Sequence, residues 1–191
     1  MSGSPKADPG LYDYWPWDSR PKITWPGNAR VALWIAPNIE FYEYAPPANP
    51  QRKAWPRPLP DILGYGTRDY GNRVGVFRVF DALEKHGLRA SAAVNGELAL
   101  RYPALLRRLR ARSAELLAHG WNMDSVHYGG LDPAREAGFI ADTLTALAPY
   151  APAPIRGWLS PARPQSENTP ELLAAAGLEW FGDWVNDELP Y

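Results

Sequence analysis

The sequence predicts an α/β fold in which parallel strands alternate with helices. Short apolar runs recur along the 191 residues, and amphipathic segments with helix-start and helix-stop residues separate them, which is the pattern of consecutive βαβ units. A chain of this length can bury one sizeable core, and no internal repeat or low-complexity segment competes with that interpretation. Five strands are predicted, at residues 30–39, 88–95, 115–119, 155–160 and 178–184.

Two irregular stretches flank the first strand. Residues 1–29 alternate tryptophan with proline and predict an extended aromatic arm, packed on a main domain of residues 30–191. The first strand itself, RVALWIAPN, is apolar on both faces, as a central parallel strand should be. Residues 41–72 are rich in proline and tyrosine and predict a long insertion loop, which we interpret as a lid over a pocket.

A helix is predicted before each of the later strands. In Arg73–His86 the apolar residues at positions i, i+4 and i+7 share one face, and a glycine follows as a stop. The next helix begins near Pro103, and its arginines form a solvated face. An N-cap residue followed by proline starts the last two helices, at Asp132-Pro133 and at Thr169-Pro170.

Composition excludes several functional classes. The net charge is −1, from 20 basic and 21 acidic residues, so no electrostatic attraction to nucleic acid or to an anionic membrane is expected. Cysteine is absent, which excludes disulfides and thiolate metal sites and favours a cytoplasmic location. The first residues lack the apolar core of a secretory signal, and no apolar run reaches the ~20 residues of a membrane helix.

Polar side chains follow the predicted strands at the points where the strands end. Because the carboxyl ends of parallel strands meet at one edge of a sheet, we expect these side chains to converge on a ligand site. The densest cluster lies in AELLAHGWNMDSVHYGGL, residues 114–131, which carries two of the three histidines. The candidate residues are Asn38, Glu40, Asn95, His119, Asn122, Asp124, His127, Trp158, Asp183 and Trp184.

This inventory suits hydrolysis by general acid–base catalysis. Glu40 has the chemistry to activate water, and His119 has the chemistry to protonate a leaving nitrogen or to stabilise an oxyanion. A second carboxylate, Asp183 or Asp124, would orient and tune them. Serine does not occur in a nucleophile-elbow pattern and cysteine is absent, so a covalent acyl-enzyme is not expected.

Six stretches together resemble the NodB-homology polysaccharide deacetylase family, and most closely its allantoinase-like branch. They are ITWPGNARVAL, DYGNRVGVFRVFDALEKHGLRA, VNGELALRYP, AHGWNMD, RGWLSPA and DWVND, and they extend over Ile23–Asp187. The resemblance implies a distorted (β/α) barrel. It also implies a hydrolase of non-peptide carbon–nitrogen bonds, which opens a cyclic amide or removes an N-acyl group from a small-molecule or sugar substrate.

The chain departs from this family at the residues that bind metal. The family's T-F-D-D motif places a base before a metal ligand, and by position Glu40 takes the place of the base while Phe41 replaces the ligand. In the family's H-[ST]-x-x-H motif both histidines bind metal. Here His119 remains, but Met123 stands where the second ligand should be, and a thioether is a poor ligand for a hard or borderline divalent ion.

We therefore expect a site without metal or other cofactor. Glu40 must then activate water unaided, which calls for a pKa raised by partial burial near Trp158 or Trp184. The alternative is zinc or another divalent ion held by His119, His127 and Asp124.

The resemblance also adds Arg156, as the residue that orients the base, and assigns Asp183 to tuning and Trp184 to the pocket wall. The alternatives are an ion pair between strand ends for Arg156 and core packing for Trp184. We expect Glu40, His119, Arg156 and Asp183 to face one cavity, with the first two within one water-bridged contact. The expected substrate contacts are Asn38, Asn95, Asn122, Asp124, His127, Trp158 and Trp184, with Asn122, Asp124 and His127 at the rim.

The family's fifth motif, a leucine and a histidine late in the barrel, has no counterpart in this chain. Five strands do not close a barrel, and an open sheet leaves two edges. We therefore expect a C-terminally incomplete barrel, from a fragment or a shortened gene product, or an edge that a second copy covers. Three functions stay open: an active carbon–nitrogen hydrolase, an inactive module that binds a carbohydrate or heterocycle, and an incomplete chain without activity.

Overall fold

The computed structural model describes residues 10–47 and 59–187. Within them, five short strands form one sheet in the order of the sequence. They are β1 (Asn38–Ile39), β2 (Ser91–Val94), β3 (Glu115–Ala118), β4 (Gly157–Trp158) and β5 (Trp180–Phe181). Every consecutive pair is parallel, which confirms the predicted fold class. Each strand lies inside its predicted range, and the differences are confined to the strand ends.

Helices connect each strand to the next. The segments before β2 are α1 (Ile62–Tyr70), a π-helical turn (Gly71–Gly75) and α2 (Val76–Lys85). The later helices are α3 (Leu98–Arg101), α4 (Pro103–Ala111), α5 (Pro133–Leu147) and α6 (Thr169–Ala175). Asp132 caps α5 as predicted, because its carboxylate accepts a hydrogen bond from the Arg135 N–H. The cap of α6 is Asn168, one residue earlier than predicted.

Apolar side chains from the strands and the helices share one core. Val94 and Leu116 of the sheet pack in it with Phe80, Leu106 and Ile140 of three different helices, and none of the five is more than 6% exposed. Burial of each such side chain stabilises the fold by about 1.5–3 kcal/mol. The core thereby fixes the strand ends at which the polar residues lie.

The first strand is shorter than predicted and lies at an edge of the described sheet, paired with β2 alone. The carbonyls of Ile35 and Pro37 accept hydrogen bonds from β2, but Pro37 has no N–H with which to continue the ladder. Val31 and Leu33 are 76% and 74% exposed. The apolar run that predicted a central strand is therefore mostly not buried.

The prediction of one long loop over residues 41–72 is wrong in its second part. Residues 62–72 are helical, within α1 and the start of the π-helical turn. Glycines at positions 64 and 66 hid this helix, because glycine has low helix propensity. Packing favours the helix, since Tyr65 contacts Phe41 edge-on with ring centroids 6.5 Å apart. The prolines of residues 48–58 lie outside the described residues.

The chain forms two compact units. Of the described residues, one unit comprises 10–33 and 185–187, and the other lies within Trp34–Trp184. In the first unit, the described residues 10–33 hold two 3₁₀ helices and no strand, and Arg20 forms an ion pair with Asp187 at 2.5 Å. The second unit contains the whole sheet. Across residues 10–47 and 59–187, no helix has the length and apolarity needed to cross a bilayer.

Candidate active site

Glu40 and His119 meet at the carboxyl edge of the sheet. The parallel register pairs Ile39 with Val94 and Val94 with Ala118, so the residues that follow β1 and β3 lie at one level. Glu40 Oε1 lies 3.5 Å from His119 Nε2, and the two side chains are 26% and 4% exposed. The two groups are thus within a water-bridged contact, as the strand-end argument predicts.

The carboxylate of Glu40 is held by neighbours on its own strand. The Tyr42 hydroxyl donates to Oε2 at 2.8 Å, and the Asn38 amide donates to Oε1 at 3.4 Å. Burial raises the pKa of Glu40, but His119, Tyr42 and Asn38 outweigh that effect and hold the pKa below its usual value. The prediction of a raised pKa is therefore wrong, because these groups favour the ionised carboxylate.

The orientation of His119 is set by the carbonyl of Leu159, the residue directly after β4. His119 Nδ1 lies 2.7 Å from the Leu159 carbonyl oxygen, which can only accept, so Nδ1 carries a proton. The other ring nitrogen, Nε2, is buried and has no hydrogen-bond partner among the described residues. Nε2 therefore faces the Glu40 carboxylate and is the nitrogen available for proton transfer.

Asp183 holds the segment after β4 that contacts His119. Its carboxylate oxygens accept hydrogen bonds from the Ser160 N–H and the Gln165 amide, both at 2.6 Å. Burial raises its pKa, and these hydrogen bonds lower it by less, so the net shift is upward. Asp183 anchors the residue next to Leu159, whose carbonyl orients His119. The Trp184 indole donates to Gln165 at 2.9 Å.

A cavity of about 330 Å³ lies between β1 and the helical segment α1–α2. Glu40 lines it, but His119, Asp183 and Arg156 do not, so the prediction that all four share one cavity is wrong. Its lining also includes Pro37, Asn38, Ile39, Tyr42, Thr67, Arg68, Tyr70, Asn72, Val76, Val79 and Phe80.

Arg156 is not part of this arrangement. It precedes β4 and so lies at the amino end of the strand, opposite the carboxyl edge. Its side chain is 62% exposed, and its guanidinium lies 3.5 Å from the Glu179 carboxylate. The assignment of Arg156 to the catalytic set is therefore wrong, and the alternative of an ion pair describes it.

His127 and Trp158 belong to the core rather than to a cavity rim. His127 is fully buried, and its Nδ1 lies 2.8 Å from the Glu136 carboxylate on α5. Its ring packs edge-on against Trp158, with centroids 5.5 Å apart. Trp158 is itself fully buried, and its indole donates to the Ser160 hydroxyl at 2.9 Å. Neither side chain offers a surface to a substrate in this arrangement.

Asn95 joins three strand ends from within the protein. It is fully buried, its amide donates to the His119 carbonyl, and its oxygen accepts from the Phe41 N–H at 2.8 Å. The oxygen and the nitrogen of the Asn95 amide are thus both bonded to the backbone, one just after Glu40 and the other at His119. Asn95 supports the site instead of presenting a free amide to a substrate.

Asn122 and Asp124 organise the loop after β3. The Asn122 amide donates to Glu97 at 2.8 Å and to Glu43 at 3.0 Å, while its oxygen accepts from the Asp124 N–H at 2.9 Å. The Asp124 carboxylate accepts from the Glu43 N–H at 2.8 Å. Burial raises the pKa of Glu43, and the nearby carboxylates of Asp124 and Glu97 add to that rise. These contacts connect the loop after β1 to the loop after β3.

The described residues do not fit a divalent metal built on His119. Phe41 is buried against Tyr65, and the Met123 N–H donates to the Phe41 carbonyl at 2.9 Å. The possible replacement, His127, is turned toward Glu136. Among residues 10–47 and 59–187, no three or more His, Cys, Asp or Glu side chains converge as a metal site would require.

Sequence reasoning missed Tyr42, Arg68 and Asn72. Tyr42 follows Glu40 by two residues, so the alternation of side chains along an extended segment could have placed both on one face. The Arg68 guanidinium lies over the Tyr42 ring at 4.0 Å, and the Asn72 amide donates to the Glu40 carbonyl at 2.9 Å. Both come from the helix that was predicted as a loop, and no local pattern could have brought them to Glu40.

Comparison with known proteins relates this chain to a family. A family model described as polysaccharide deacetylase matches residues 60–181. In solved structures, the chain is similar to PuuE allantoinase at 23% identity and TM-score 0.75, covering 94% of this chain and 64% of that one. No curated protein matches the chain.

Two further structures show the same fold. One, from Pseudomonas aeruginosa PAO1 and described as a polysaccharide deacetylase, is 22% identical with TM-score 0.75, over 95% of this chain and 63% of that one. The other, a protein from Mycobacterium smegmatis with the same description, is 23% identical with TM-score 0.73, over 88% and 56%. The chain therefore spans 56–64% of the length of these three proteins.

Proposed function

The chain belongs to the polysaccharide deacetylase family, and on that premise we propose that it hydrolyses a non-peptide carbon–nitrogen bond with Glu40 as the general base. The substrate would be a cyclic amide or an N-acyl compound. The cyclic amide is favoured by the resemblance of the six sequence stretches to the allantoinase-like branch, and the fold shared with PuuE allantoinase is consistent with it. This activity is proposed for a chain that spans only 56–64% of the length of the three related structures.

The observation that carries the proposal is the Glu40 carboxylate facing His119 Nε2 at 3.5 Å beside a cavity. The Glu40 pKa lies below its usual value, so the base is ionised at neutral pH. A carboxylate so placed can take a proton from water while the water oxygen attacks the amide carbon. The carbon–nitrogen bond then breaks as the nitrogen gains a proton.

His119 is proposed as the source of that second proton. When the imidazole is protonated, Nε2 carries an N–H that can be given to the leaving nitrogen, while Nδ1–H stays on the Leu159 carbonyl. Glu40 then holds the proton taken from water. Transfer of that proton to Nε2 across the short gap between them restores both groups for the next cycle.

Exchange of Glu40 for glutamine tests the base directly. Glu40→Gln keeps the shape of the side chain and loses the proton acceptor, so kcat/KM on a hydantoin or an N-acetyl sugar should fall by about 10²- to 10⁴-fold. The matched control is Arg156→Gln, which should retain activity because Arg156 is exposed at the far end of β4. Retained activity in Glu40→Gln would contradict the assignment. A wild-type chain that turns over neither substrate would favour the inactive binding module.

We also propose that the reaction needs no metal, because Phe41, Met123 and His127 do not supply ligands beside His119. Dialysis against a chelator should therefore leave kcat/KM unchanged, with metal content measured in the same samples. Loss of activity that zinc or cobalt restores would contradict this proposal. It would point instead to a rearranged ligand set of His119, His127 and Asp124.

A further inference from the structure

The cavity beside Glu40 carries two opposite charges. Of the residues that line it, only Glu40 and Arg68 are charged, and Tyr42 lies between them. The Tyr42 hydroxyl donates to Glu40 at 2.8 Å, and the Arg68 guanidinium carbon lies 4.0 Å from the centre of the same ring. The Tyr42 side chain therefore lies between the two charges, which reach the cavity from the end of β1 and from α1.

The Arg68 guanidinium has N–H groups that could donate hydrogen bonds to a ligand. One guanidinium nitrogen donates to the Gly64 carbonyl at 3.2 Å, and within residues 10–47 and 59–187 the side chain forms no ion pair. A guanidinium has five N–H donors in a fixed fork. The contact with the Tyr42 ring holds the fork in place by a cation–π interaction, so less conformational freedom is lost when an anion binds.

We propose that Arg68 binds a carboxylate on the substrate and thereby selects amides that carry an anionic group a few atoms from the scissile bond. The part of this proposal that concerns the amide rests on the function proposed for Glu40. The part that concerns the anionic group rests on Arg68 alone. Arginine recognises a carboxylate most strongly by planar bidentate pairing. Thr67 and Asn72 also line the cavity, but their side chains already donate to backbone carbonyls. Val76 and Val79 supply apolar contact.

A matched pair of probes tests the proposal without requiring turnover. Hydantoin-5-acetic acid and hydantoin-5-acetamide have nearly the same shape and differ in charge. By calorimetry, the wild-type chain should bind the acid about 10- to 100-fold more tightly than the amide. Arg68→Gln should remove this preference, and Arg68→Lys should restore part of it. The control is Arg107→Gln, an exposed arginine on α4 outside the cavity, which should leave the preference intact.

The results separate this inference from the proposed function. Preferential binding of the acid that depends on Arg68, without hydrolysis of either probe, would support the Arg68 assignment and contradict the assignment of Glu40. Equal binding of the two probes by the wild-type chain would overturn the Arg68 assignment, even if both are hydrolysed. A preference for the acid that survives in Arg68→Gln, with unfolding in urea unchanged, would overturn it as well.

Discussion

Two histidine–glutamate pairs flank the loop after β3, and they differ in almost every physical respect. His119 faces Glu40 at 3.5 Å, and the Glu40 side chain is 26% exposed beside a cavity. His127 contacts Glu136 at 2.8 Å, and both side chains are fully buried. Eight positions separate the two histidines in the sequence, yet one pair is open to a ligand and the other is sealed.

The carboxylate of the sealed pair is surrounded by protein donors, although the buried Nε2 of His127 has no hydrogen-bond partner among the described residues. Besides His127, the Glu136 carboxylate accepts hydrogen bonds from the Ser166 and Thr169 hydroxyls. Burial raises the pKa of Glu136, but these donors outweigh it and hold the pKa below its usual value. The comparison teaches that a histidine beside a carboxylate marks a reactive site only where part of the pair still meets solvent or a cavity.

The largest effect is expected from breaking the sealed pair. Glu136→Ala removes the partner of His127 and leaves three donors unsatisfied in the core, so the free energy of unfolding should fall by about 3–5 kcal/mol. Urea denaturation at neutral pH measures this loss. The control is Glu179→Ala, which removes an exposed carboxylate and should change stability by less than about 0.5 kcal/mol.

The same pair predicts a pH dependence with a definite sign. Because the folded-state pKa of Glu136 is lowered, its contribution is present above the unfolded-state pKa and is lost as the pH falls through the folded value. The wild-type chain should therefore lose more stability than Glu136→Ala as the pH falls below the usual glutamate pKa of 4.5. If the free energies of unfolding of the two proteins change in parallel as the pH falls, Glu136 is not the group that causes the loss of stability.

A smaller effect is expected from loosening the open pair. Tyr42→Phe removes the hydroxyl that donates to Glu40, so the pKa of Glu40 should rise and the acid limb of kcat/KM should move to higher pH. One hydrogen bond to a carboxylate is worth about 1.5–3 kcal/mol, which sets an upper bound on the loss at neutral pH. The measurement is the pH profile of hydrolysis.

Tyr44→Phe is the control for that profile, because Tyr44 contacts Tyr65 through its ring and does not bond Glu40. Its acid limb should coincide with that of the wild type. If Tyr42→Phe lowers activity equally at every pH, Tyr42 does not tune the base. If the acid limb moves to lower pH, the direction argued for the Glu40 carboxylate is wrong.

Much of the fold could be predicted because the deciding signals are local. Apolar runs, capped helices and their alternation fix the parallel order without reference to distant contacts. The failures arise where distant residues decide. Pro37 shortened β1 by removing one donor, and the helix over Ile62–Tyr70 forms despite its glycines because Tyr65 packs against Phe41.

The predictions of site residues also succeeded where local signals decide and failed where distant residues decide. Glu40 and His119 were found because strand register alone brings their positions together. Arg156 was misplaced because it lies at the other end of its strand, which a motif match does not distinguish. His127 was misplaced because its partner is a helix residue, Glu136, and no sequence pattern reports which buried acid a histidine will meet.

Gly120 sets the path of the backbone directly after His119. Its φ is +67°, and a Cβ there would lie 2.3 Å from Pro161 Cγ, so the backbone after His119 follows a path closed to serine or threonine. That path leads to Met123 with its N–H on the Phe41 carbonyl. Exchange of Met123 for histidine alone would leave the loop on this path. Engineering of a metal site at His119 would therefore have to change the backbone at Gly120 as well as the side chain at Met123.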